Sequence, residues 1–94
     1  MLKSYRKRID KIDEEIKELF LKRLDVLSDI AEFKKQNHLK VGDPNREAKL
    51  ISDLTKDIED PKVRKIYIAY LEHMILLSKE YQKDIIKNSD KDEE

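Results

Sequence analysis

Between Leu2 and Asn37, apolar residues return at steps of three and four: Leu2, Tyr5, Ile9, Ile12, Ile16, Leu19, Val26, Ile30 and Phe33. Such spacing keeps one stripe on a single side of a helix for about five heptads, and no Gly or Pro interrupts it. The pattern predicts one continuous helix. The member missing between Leu19 and Val26 is Arg23. A guanidinium in an apolar stripe is costly unless something anionic meets it there. The line alongside (Arg6, Asp13, Phe20, Leu27, Lys34) adds three more ionisable groups beside the core.

The helix should fade near Gln36 to His38, ahead of Gly42 in the stretch LKVGDPNRE. Asp43-Pro44 is a helix-start signal. The carboxylate can cap free backbone N–H groups, and Pro has none to waste at the first helical position. A second helix is expected from Pro44 to Asp57, burying Ala48, Leu50, Ile51, Leu54 and Ile58. Asp60-Pro61 repeats the device and opens a third helix to Lys87. Its apolar face is Val63, Ile66, Tyr67, Tyr70, Leu71, Met74, Leu77, Tyr81 and Ile85. Ser78 and Gln82 stand four residues apart on or beside that face. The expected fold is all-α, long-short-long, in one domain spanning residues 1–87. The acidic stretch 88–94, NSDKDEE, has no periodicity and is expected to be a disordered tail.

Length adds a constraint. A helix of this size runs about 50 Å, whereas a compact chain of this length should be about 30 Å across. The overhang calls for a helical partner, most simply a second copy.

Composition narrows the function. Charged residues make up 45% of the chain, yet 21 Lys and Arg balance 21 Asp and Glu. Zero net charge argues against a nucleic-acid binder, which needs a basic excess or stripe. There is no Cys, and His38 and His73 are isolated, so no metal site is expected. No Gly-rich phosphate loop or Ser–His pairing is present. The opening MLKSYRKRID lacks a signal-peptide apolar run, and no stretch reaches transmembrane length. A cytoplasmic protein with no membrane association is expected.

The remaining chemistry lies in the polar exceptions: Arg6, Arg23 and Lys34, then Asp43, Arg46 and Glu47, then Ser78 and Gln82. Taken singly, each reads as a snorkelling residue or an ion pair. As a group, three or four cations suit a small ligand with more than one carboxylate, since Arg can grip a carboxylate bidentately. Arg23 and Lys34 are about 16 Å apart on one face, within convergence of their side chains. Arg6 lies about 25 Å from Arg23 and about 42 Å from Lys34, so it can serve such a site only from an antiparallel second chain. No nucleophile or cofactor site accompanies them.

The segments YRKRIDKIDEEIKELFLKR, AEFKK, VGDPNRE and LLSKEYQ, in this order and spacing, resemble the all-helical (AroQ-type) chorismate mutases from about Leu2 to Lys87. The resemblance implies an intertwined helical homodimer whose active sites each borrow an arginine, here Arg6, from the partner chain. It implies that Arg23 binds a carboxylate and that Lys34 contacts a carboxylate and the substrate ether oxygen. Gln82 would be the second ether-oxygen donor, Glu47 would meet the substrate hydroxyl, and Ser78 the ring carboxylate. Asp43 and Arg46 complete the loop and second-helix contacts. Gly42 replaces a bulkier residue often found before the Asp. The implied reaction is the [3,3] rearrangement of chorismate to prephenate in phenylalanine and tyrosine biosynthesis, without a cofactor. Association with another enzyme of that pathway would be in keeping with the family. Two alternatives share the scaffold: an isochorismate-pyruvate lyase, and a non-catalytic helical dimer that binds a ligand.

Overall fold

In the computed structural model, which describes residues 1–92 with side chains through Asn88, three helices follow one another. They are α1 (Leu2–Gln36), α2 (Pro44–Thr55) and α3 (Pro61–Asp92). No strand occurs among the described residues. α1 is unbroken over its 35 residues, as the lack of Gly and Pro requires. Its end is a Schellman motif. The Leu39 N–H reaches the Lys34 carbonyl at 2.8 Å and the His38 N–H the Lys35 carbonyl, with His38 in the left-handed region at φ 55°. Lys34 and Lys35 sit in that last turn, where positive charge suits the helix dipole.

Both Asp-Pro starts form as expected. Asp43 accepts from the Arg46 N–H at 3.2 Å, with Pro44 in the first turn. Asp60 accepts from the Lys62 N–H at 2.9 Å. α2 stops at Thr55, two residues before the expected end at Asp57. Thr55 is buried and returns its hydroxyl to the Ile51 carbonyl at 2.7 Å. Arg64 of α3 then donates from Nε to the Ile58 carbonyl at 2.9 Å, closing the turn between α2 and α3. α3 continues to Asp92, five residues past the Lys87 end expected from the pattern. Of the expected tail 88–94, residues 93–94 lie outside the described residues.

Packing is confined to one end of the molecule. Leu27 and Ala31 of α1 and Leu71 and Ile75 of α3 form the buried core, and α2 packs on α3. Along α1 the covered positions are Arg23, Leu24, Leu27, Ser28, Ala31, Lys34 and Lys35. That is a face beside the heptad stripe, not the stripe itself. Every apolar stripe member from Leu2 to Phe33 is exposed in a single chain, Leu19 at 64% and Phe33 at 59%. The apolar face of α2 is likewise thinner than expected. Ala48 and Leu54 are exposed while Leu50, Ile51 and Ile58 are half-buried. On α3, Ile66, Tyr70 and Leu77 are open to solvent.

The molecule is correspondingly extended. Its radius of gyration is 17.0 Å and its long axis 57 Å, against about 12 Å expected for a compact chain of this length. No helix among the described residues is long and apolar enough to cross a membrane.

Candidate active site

Where the three helices meet, a cavity of about 530 Å³ opens beside the core. The volume is within the usual range for small-molecule sites. α1 supplies Arg23 and Lys34, the loop after it Asp43, α2 Arg46 and Glu47, and α3 Ser78 and Gln82. Seven of the eight residues singled out in the sequence thus line one space, and Leu27, Ile30 and Ile75 give it an apolar wall.

Two cross-helix pairs organise it. Arg23 donates from Nη1 to Ser78 Oγ at 2.5 Å, and Lys34 donates from Nζ to Gln82 Oε1 at 3.0 Å. Ser78 and Gln82 are buried, whereas the two cations are half-buried and border the opening. The Ser78 hydroxyl proton goes to the Met74 carbonyl at 2.7 Å, which leaves its oxygen free to accept from Arg23. An ammonium can only donate, so Lys34 selects the oxygen end of the Gln82 amide. Among the described residues, no acceptor meets the Gln82 NH₂.

The third linkage fixes the mouth. Glu47 accepts the Asp43 backbone N–H on Oε2 at 2.9 Å and the Lys79 ammonium on Oε1 at 3.0 Å. Asp43 in turn caps Arg46, so loop and helix start hold each other reciprocally. The Asp43 N–H foremost, and then Lys79, hold the Glu47 carboxyl below the ordinary glutamate value. Gly42 stands beside this knot at φ 99°, and a Cβ there would meet Lys79 Cδ at 3.3 Å.

Arg6 is the eighth residue, and it does not line the cavity. It lies on the exposed first half of α1. The sequence reading missed Lys79 and Lys40, both of which line the site. The available signal for Lys79 was its position between Ser78 and Gln82, within one helical turn of each. Counting them, the cavity carries five cations against the carboxylates of Asp43 and Glu47. Lys79 is committed to Glu47, and among the described residues neither Arg23 nor Lys34 meets a carboxylate. The site is therefore built to receive negative charge from outside.

Five cations and the Gln82 amide around one cavity between three helices have the chemistry that suits a small multivalent anion. Residues 5–83 match the family model for chorismate mutase type II. A chorismate mutase of Methanocaldococcus jannaschii is 33% identical over 85 residues, covering 85% of this chain and 86% of that protein. No solved structure gives a significant match. The chain belongs to the type II chorismate mutases, a family of isomerases.

Proposed function

We propose that this chain converts chorismate to prephenate as a cytoplasmic homodimer in which each site is completed by Arg6 of the second copy. Family membership and the curated relative support the activity. The observation that carries the residue roles is the pairing of Arg23 with Ser78 and Lys34 with Gln82 around one cavity.

The reaction is intramolecular. One ether C–O bond breaks as one C–C bond forms, with no proton or electron delivered from outside. The protein must therefore hold the dicarboxylate in a folded, chair-like conformer and stabilise negative charge growing on the ether oxygen. Arg23 and the partner's Arg6 receive the carboxylates, and Ser78 contributes once its hydroxyl turns from the Met74 carbonyl. Lys34 retains two unused N–H donors, and the Gln82 amide offers its NH₂ group. Together they form a two-donor clamp for the ether oxygen. Glu47, with one partner on each oxygen, keeps a free lone pair on each to accept from the substrate hydroxyl.

The second copy is supported by the uncovered stripe. Exposed apolar positions run the length of α1, and Arg6 lies among them. Monomeric proteins rarely leave so long an apolar face open. An antiparallel copy would cover the stripe and bring Arg6 to the far site.

The test is direct incubation with chorismate and, separately, isochorismate, without added cofactor, following substrate loss and product identity. Prephenate from chorismate is the expected result. Pyruvate from isochorismate with little prephenate would move the assignment to a lyase. Inactivity on both substrates would leave a binding protein.

A further inference from the structure

Lys79 has no part in the chemistry described so far, yet it occupies a decisive place. It projects from α3 between Ser78 and Gln82 and crosses to α2 to grip Glu47 Oε1 at 3.0 Å. Its stem runs against Gly42, with Cδ where a Cβ on that residue would have to go. Its side chain is about one-third exposed and that of Glu47 about one-quarter. The pair is thus shielded enough to matter and open enough to respond to the cavity's contents. The backbone of α2 packs on α3, and it faces α1 across the cavity. Glu47 is therefore oriented from two sides, by the Asp43 loop that follows α1 and by Lys79 on α3.

We infer that Lys79 is a positioning residue for this reaction: it holds the Glu47 carboxylate in one orientation, and through Glu47 it fixes the Gly42–Asp43 loop beside the cavity. A glutamate side chain alone has three rotatable bonds. With one oxygen on the Asp43 N–H and the other on Lys79, the carboxylate plane is set, and its remaining lone pairs are directed before substrate arrives. Gly42 is the accommodating partner, since it supplies both the positive φ and the space for the lysine stem. The inference rests on the proposed mutase reading for the identity of the substrate and for the contact of Glu47 with its hydroxyl.

The test combines a double-mutant cycle with a titration. In Lys79→Met the stem is kept and the ammonium lost. Its kcat/KM for chorismate is expected to fall about tenfold, mostly through KM, because the hydroxyl contact serves bound substrate and transition state alike. In a Glu47→Gln background the same change should cost less than about twofold, since an effect exerted through Glu47 disappears with it. Lys79→Arg should recover most of the loss. Full additivity of the two losses would overturn the inference, because Lys79 would then act on substrate directly.

The second readout needs no turnover. The Glu47 carboxyl, followed by carbon NMR, should titrate at higher pH in Lys79→Met than in the unmodified protein. The Asp43 N–H would still hold part of the depression. Asp43 and Lys34 also act on this carboxylate, Lys40 and Arg46 line the same cavity, and all four are unchanged in the comparison. An unmoved titration would overturn the inference even in an active enzyme. If the unmodified protein ignored chorismate, the mutase reading would fail while the titration still decided the role of Lys79.

Discussion

Replacing Lys34 with Ala isolates the step on which the proposed chemistry depends. Two things are lost together. One is a donor aimed at the ether oxygen, whose removal typically costs about 10²–10³ in kcat, or about 2.7–4 kcal/mol. The other is the 3.0 Å bond that fixes the Gln82 amide, so the second donor loses its orientation as well. The expected drop in kcat is therefore at the upper end, about 10³. KM should rise less, about tenfold, from the missing carboxylate contact. Folding should suffer little. Lys34 is half-buried at the edge of an open cavity, and water can reach the vacated Gln82 oxygen. A loss of about 1 kcal/mol is expected, which lowers Tm by about 4–8 °C in a domain of this size. Chorismate disappearance measured spectrophotometrically gives kcat and KM, and circular dichroism gives Tm. A folded Lys34→Ala protein with kcat within about tenfold of the original would refute the two-donor clamp.

Further outcomes follow from other features. Mixing an Arg6→Ala chain with a Lys34→Ala chain, each nearly inactive alone, should restore activity, because the mixed dimer regains one complete site. No recovery after co-refolding would mean that Arg6 serves its own chain or none. The Glu47 carboxyl is held below its ordinary value of 4.5. Its contribution to stability is therefore fully present above that pH and lost as pH falls through the lower folded value. Calorimetry between about pH 3 and 6 should show a steeper acid decline in the original than in Glu47→Gln. Gly42→Ala should lower stability by about 1–2 kcal/mol from its positive φ alone, and kcat/KM should fall with it as Lys79 is displaced. His38→Gly should raise stability by about 1 kcal/mol in a denaturant melt, since Gly suits the left-handed position better.

The helix starts were readable because their chemistry is local. Asp43-Pro44 and Asp60-Pro61 each combine a cap acceptor with a residue lacking an N–H, and both form where expected. The end of α1 was less sharp. It is closed by a Schellman turn on His38, and nothing in a lone histidine announces a positive φ. α2 ends at Thr55 because the chain turns there, the Ile58 N–H closing on the Thr55 carbonyl and Arg64 of α3 taking the Ile58 carbonyl, a contact from the next helix that local propensity does not announce.

The heptad stripe of α1 identified the helix and its apolar side correctly. Periodicity reports that a face is apolar, not what covers it, and within one chain the neighbouring Leu27–Ala31 face takes the core. The cavity was legible because Arg23, Ser78 and Gln82 violate an otherwise apolar pattern. Lys79 violates nothing. On a charged helix it reads as one more solvated lysine, and only the fold shows Glu47 opposite it.

Arg23 and Lys34 are held by a hydroxyl and an amide oxygen, neutral acceptors that release a cation far more readily than a carboxylate does. An incoming anion therefore breaks no ion pair to reach either of them. The same economy leaves the site open to whatever anions the solution contains. Sulfate, phosphate and citrate should act as competitive inhibitors, with citrate, a polycarboxylate, the strongest. Apparent affinity for substrate will then depend on the buffer chosen, and added salt should raise KM well before it touches the rate at saturation.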